Sequence, residues 1–147
     1  MADHIRKQIR AAAVSALTSL TTTGARVYDS LVYPMQDAQL PGLRVDTGNE
    51  SIAVDTVHST PLLERTLELL VQACVKANTS YNTTLDTIIK EVEIAIASHQ
   101  SIGGAKAVLL KSISVDLSGE GEKPVAVATL IFDVPYYTSQ DAPDVAI

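Results

Sequence analysis

The C-terminal third of the chain constrains its fold most. An apolar run at 107–117 is followed by Ser118-Gly119-Glu120-Gly121-Glu122 and a second run at 124–137. Two long strand-like segments about a Gly/Glu turn predict a β-hairpin. In Val125-Ala126-Val127-Ala128-Thr129-Leu130-Ile131-Phe132 nearly every position is apolar, so both faces of a period-2 pleat are apolar. A strand apolar on both sides needs cover on both sides. A 147-residue chain with few helices does not supply it alone, so the hairpin predicts contacts with further copies of the chain. The candidate subunit-interface residues are Val125, Val127 and Ile131.

The whole chain, 1–147, is of single-domain size and buries roughly 68–70 % of the surface its unfolded form exposes. With one Phe and no Trp, the core it builds is aliphatic. A net charge of −6 argues against sequence-independent nucleic-acid affinity through a broad basic surface. That sign suits a wall past which DNA slides, and ordinary solubility accounts for it as well. The single cysteine, Cys74, excludes an intrachain disulfide and a Cys-rich zinc site, and among apolar neighbours it reads as a small buried hydrophobe. Arg6, Lys7 and Arg10 precede no uninterrupted apolar segment of the signal-peptide kind, and no run approaches the ~18 apolar residues of a membrane span. The expectation is a protein made in a cytosol-like compartment, without membrane association.

Residues 3–20 carry the clearest helical pattern. Ile5, Ile9, Ala13, Ala16, Leu17 and Leu20 recur at helical spacing, with Asp3 as N-cap and Gly24 suited to the C-terminal cap. A short strand at 25–28 leads into an irregular connection at 29–41 that contains Pro34 and Pro41, a length at which loops are often functional. Strands follow at 42–47 and 51–57, separated by a Gly48-Asn49 turn. The segment 62–76 is divided. Its Leu, Glu and Gln content, after Thr60-Pro61, favours helix. Its alternation of Leu63, Leu67, Leu69, Val71, Ala73 and Val75 with polar residues favours strand, with only Arg65 and Leu70 out of phase. Asn82 caps a second helix striped by Leu85, Ile88, Ile89, Val92, Ala95 and Ile96. Gly103-Gly104 breaks the chain before the hairpin, and the tail 139–147, with Pro143 and two aspartates, reads as loose. The order is α-β-β-β-β-α-β-β: an α+β fold with a central, mostly antiparallel sheet flanked by two main helices.

Chemistry is scarce in this sequence. His4, His58 and His99 stand apart, none with a second ligand at metal spacing, so no metal site is expected. Gly103-Gly104-Ala105-Lys106 lacks the preceding strand and the spacing of a phosphate loop, and no serine occupies a nucleophile elbow. Tyr136-Tyr137 reads as a rim of the core. No catalytic residue, cofactor or metal is expected, and the protein is not read as an enzyme.

The order of these elements resembles the tail terminator proteins of long-tailed bacteriophages, also called minor tail protein U or tail-completion proteins. The likeness spans about 3–138. It rests on the helix Ile5-Arg6-Lys7-Gln8-Ile9-Arg10-Ala11-Ala12-Ala13-Val14, on Leu40-Pro41-Gly42-Leu43-Arg44-Val45, on Leu85-Asp86-Thr87-Ile88-Ile89-Lys90-Glu91-Val92-Glu93, and on the closing strand from Val125 to Tyr136. The resemblance implies that 62–76 is a strand and that the subunits form a hexameric ring. Such a ring caps the tail tube, stops its polymerisation and presents a surface to the head–tail connector. The implied partners are the chain itself, the tail tube protein, the connector and the tape-measure protein, with DNA passing through unbound. The implied location is the head-proximal end of the virion tail, after assembly in the host cytoplasm. Alternatives are another neck or tail protein (an adaptor, stopper or tube protein) or a monomeric α+β protein that binds a small molecule. Under the ring reading, the alternation at 62–76 puts Glu64 and Glu68 on a face away from Leu67, Leu69 and Val71. With Glu120 and Glu122 they are candidates for an acidic lumen; the solvated side of a sheet explains them equally.

Overall fold

A computed structural model describes residues 3–30, 39–57, 59–77, 80–118 and 124–147. Helix α1 (Ile5–Leu17) opens the chain. The imidazole of His4, rather than Asp3, caps it, with Nδ1 accepting from the Arg6 amide at 3.0 Å. Ile5, Ile9, Ala13 and Leu17, each four residues apart, form its buried stripe. The helix stops at the Thr18 cap, so Gly24 belongs to the following turn and not to the cap. Strand β1 (Val27–Asp29) then precedes β2 (Gly42–Thr56) and β3 (Leu62–Lys76). Most of the connection expected at 29–41 lies outside the described residues.

The two strands expected at 42–47 and 51–57 are one continuous strand, because Gly48-Asn49 is a bulge in the pairing with β3 and not a turn. A Cβ at Gly48 would stand 3.1 Å from Glu68 Oε2 and 3.3 Å from Leu70 Cδ1, a close approach to which these side-chain ends would have to yield. The strand reading of 62–76 holds over its full length, with β3 paired on both sides. A strand hydrogen-bonded on both edges overrides the helix propensity of its residues.

Helix α2 (Tyr81–Ala97) begins after Ser80, not Asn82, and buries Leu85, Ile88, Ile89, Val92 and Ile96. A 3₁₀ turn at Ile102–Gly104 leads into β4 (Leu109–Ser118) and β5 (Val125–Ser139), the expected hairpin, whose turn at 119–123 lies outside the described residues. At 142–146 the tail is not loose: it forms β6 (Ala142–Ala146) beside β5, and Ile147 N–H donates to Tyr137 O at 2.9 Å.

Among the described residues the strands make one six-stranded sheet in the order β1-β2-β3-β5-β4, with β6 added to β5, antiparallel except where β1 meets β2. The architecture is thus α+β with a mostly antiparallel sheet. The odd residues of β3 from Leu67 to Val75 and the even residues of β5 from Ala126 to Tyr136 join both helix stripes in one core cluster, so the helices share one side of the sheet. Among the described residues, the other side carries no helix.

Candidate assembly interface

Three features of this layout bear on function. The first is strand β4, which pairs with β5 alone among the described residues. Its register sets Ile113 beside Leu130, Val115 beside Ala128 and Leu117 beside Ala126. Those β5 partners are fully buried under the helices. Ile113, Val115 and Leu117 continue the same apolar face one strand further, beyond helical cover, and are 42, 49 and 55 % exposed. Ser112, Ser114 and Asp116 point to the other side. The strand therefore has the alternation of a half-buried element with its apolar half in water. Among the described residues its outer backbone edge is unpaired as well.

The second feature lies at the far edge. Strand β1 pairs with β2 only at Leu43–Val45. Past the bulge, the outer side of β2 has no strand neighbour among the described residues, and Ile52 and Val54 are more than half exposed. Their partners on β3 are Arg65 and Leu63, both buried, so they too lie on the helix-bearing face.

The third feature is the open face. It brings together most of the residues singled out in the sequence. Val125, Val127 and Ile131 lie there, half-buried, in line with Lys76, Cys74 and Leu70 of β3. Glu64 and Glu68 lie on the same face, so the candidate interface and the candidate lumen are one surface. Glu120 and Glu122 are outside the described residues. The bulge at Lys111 lets its ammonium reach Glu68 Oε1 at 3.7 Å and Asp133 Oδ1 at 4.0 Å. Arg44 pairs with Asp46 at 2.9 Å. Burial pushes the Cys74 thiol up to about 11, against the opposing charge of Arg44, so it stays a neutral hydrophobe.

Behind these surfaces sits a polar cluster that the sequence reading did not assemble. Glu50 emerges from the β2 bulge onto the helix-bearing face, 6 % exposed. It accepts from the Tyr136 hydroxyl and from Arg65 Nη1 at 3.4 Å, and Arg6 Nη1 stands 3.8 Å away. Arg65 Nε donates to Thr138 Oγ1 at 2.8 Å, and Arg6 Nη2 to Gly48 O at 2.9 Å. Burial, reinforced by the bond to Glu50 and its charge, raises the Tyr136 hydroxyl far above the ordinary tyrosine value, while Arg65 opposes the shift. The cluster ties the start of α1, the bulge and the end of β5 together. The readable signal was Arg65, a charge in the apolar phase of its strand.

His4 is a helix cap, His99 Nδ1 lies 2.7 Å from Ala95 O, and His58 is outside the described residues. Among the described residues no group of His, Cys, Asp or Glu is placed to hold a metal ion, and no helix is long and apolar enough to cross a membrane.

A scan against protein-family models gives no match, and a search of curated proteins gives none either. Among solved structures, the chain is similar to one in a structure described as "Virion of native gene transfer agent (GTA) particle". The TM-score is 0.53 at 17 % identity, covering 92 % of this chain and 92 % of that one. At that identity the likeness is one of fold.

Proposed function

We propose that this chain is a structural protein of a phage-like virion, and within it the tail terminator: a ring that caps the tail tube, ends its polymerisation and receives the head connector. The observation that carries the reading is β4, an apolar strand face and open edge that continue the core but that its own helices leave uncovered. A surface of that kind belongs to a subunit of an assembly. The fold likeness to a chain of a virion particle supports the same class. The role is architectural rather than catalytic, with partners in the tube protein, the connector and the tape-measure protein, at the head-proximal end of the tail. Among the described residues of the open face, acidic Asp46, Glu64, Glu68, Asp116 and Asp133 outnumber Arg44, Lys76 and Lys111, which suits a wall along which DNA passes.

Electron microscopy of particles lacking the protein tests the reading. Overlong tubes without heads are the expected result. Absence of tubes would instead make the chain a tube protein, and normal headed tails would remove it from the tail altogether.

A further inference from the structure

We infer that the ring closes by strand addition, the open edge of β4 in one subunit pairing antiparallel with the outer edge of β2 past its bulge in the next. The inference rests on the ring reading and names the surfaces by which it closes. One chain supplies both halves of the contact, and the halves match. On β4 the apolar Ile113 and Val115 face the helix side and Ser114 the open side. On β2 the apolar Ile52 and Val54 face the helix side and Ala53 the open side. Setting Ser114 opposite Ala53 places Ile113 against Val54 and Val115 against Ile52, so both faces of the joined sheet keep their character.

Strand direction agrees. The four long strands β2, β3, β5 and β4 alternate in direction across the sheet. A copy that keeps its helices on the same side of the joined sheet therefore brings β2 to β4 antiparallel, as every long pair within the subunit already is. Pairing β4 with a second β4 is also antiparallel, but it leaves the β2 edge of both subunits bare. The head-to-tail join uses both edges of every subunit with a single kind of contact, and a heterologous contact is the kind that closes into a ring. The join also staggers neighbours. Within the subunit Ile113 is level with Leu130 and Val71, whereas Val54 is level with Leu63, eight residues along β3. That is roughly 27 Å at ~3.4 Å per residue, and such stagger is what tilts the strands of a closed sheet against its axis.

The test is cysteine cross-linking in a Cys74→Ala background, on particles that carry the chain. Directly opposed antiparallel positions lie within disulfide reach. Ser114→Cys is combined with Ala53→Cys, and with Ser51→Cys or Asp55→Cys, the latter at a second irregularity of β2, to cover two-residue slips. A ladder of covalent oligomers ending at the ring number, seen with one double variant and with neither of its single variants, is the expected result. Dimers from Ser114→Cys alone would overturn the inference in favour of a β4–β4 contact. Particles that contain the chain but cross-link in none of the three registers would overturn it while leaving the ring reading intact. Particles from which the parent chain is absent would overturn the ring reading itself. Val115→Lys provides the complementary variant. Exposed in the monomer, it should keep the parent circular dichroism and melting point yet lose incorporation at least tenfold; undiminished incorporation would overturn the proposed edge.

Discussion

Removing the Glu50 carboxylate tests the polar centre of the fold. Glu50 and Arg65 are a close pair with side chains 6 and 8 % exposed, so solvent screens them little. Glu50→Ala leaves the Arg65 charge with its bond to Thr138 but, among the described residues, no counterion at that distance, and takes the acceptor from the Tyr136 hydroxyl. Breaking a buried ion pair from one side costs about 3–5 kcal/mol, because the remaining charge is desolvated without compensation. The Arg6 arm adds little: its side chain is 36 % exposed, and exposed pairs are worth about 0–1 kcal/mol. Against a total stability of ~5–15 kcal/mol, this is a large loss. At about 2–4 °C per kcal/mol for a domain of this size, the melting point should fall by roughly 6–20 °C.

Urea unfolding followed by circular dichroism measures the effect, with Arg6→Ala as a control expected to cost less than about 1 kcal/mol. Glu50→Leu with Arg65→Met should recover most of the loss, since apolar groups of similar volume often replace a buried pair without penalty. The reasoning is refuted if Glu50→Ala stays within about 0.5 kcal/mol of the parent, the range of ordinary surface substitutions.

The sequence disclosed the sheet and its helices because their periodicities are local. Leu67, Leu69, Val71, Ala73 and Val75 alternate regardless of what they meet, and the structure buries every one of them. Boundaries were less legible. Gly48-Asn49 has the chemistry of a turn, yet the same glycine serves a bulge where Glu68 and Leu70 press close, a condition set by another strand. The tail is held by contacts far off in sequence: Gln8 Nε2 donates to Asp144 O at 3.1 Å, and Ala146 lies where a Cβ on Gly104 would stand 2.5 Å away.

The candidate site shows the same divide. The hairpin's excess of apolar surface was readable, but which strand carries it was not. Strand β5 looked two-faced, and its even residues found cover under the helices. The uncovered row is on β4, because the helix layer ends before that edge, and no local pattern records the width of a layer. The Glu50–Arg65–Tyr136 cluster draws its members from three strands, so only Arg65, out of phase in its own strand, gave it away.

Alkaline pH should destabilise the protein through Tyr136. The fold holds the phenolic proton more tightly than the unfolded chain does, so this contribution is complete below the ordinary value of 10.0 and is lost as pH rises above it. Urea midpoints should drop less steeply above that pH in Tyr136→Phe, and equal slopes would refute the assignment. The Cys74 thiol, raised from 9.0 to about 11, should react roughly 100-fold more slowly with a thiol reagent in the native protein than in urea. Comparable rates would show that the thiol is open to solvent. The open face yields the most consequential outcome, since Val127 and Glu68 share it. Val127 points away from the helices, so Val127→Asp should leave the monomer folded and block assembly only if this face is a contact between subunits. If the face is instead the wall of a channel, Val127→Asp assembles, and Glu64→Lys with Glu68→Lys keeps fold and tail length but reduces DNA delivery, because added cations hold phosphates in passage. Full delivery by that double variant would remove DNA from the face, whatever becomes of the ring.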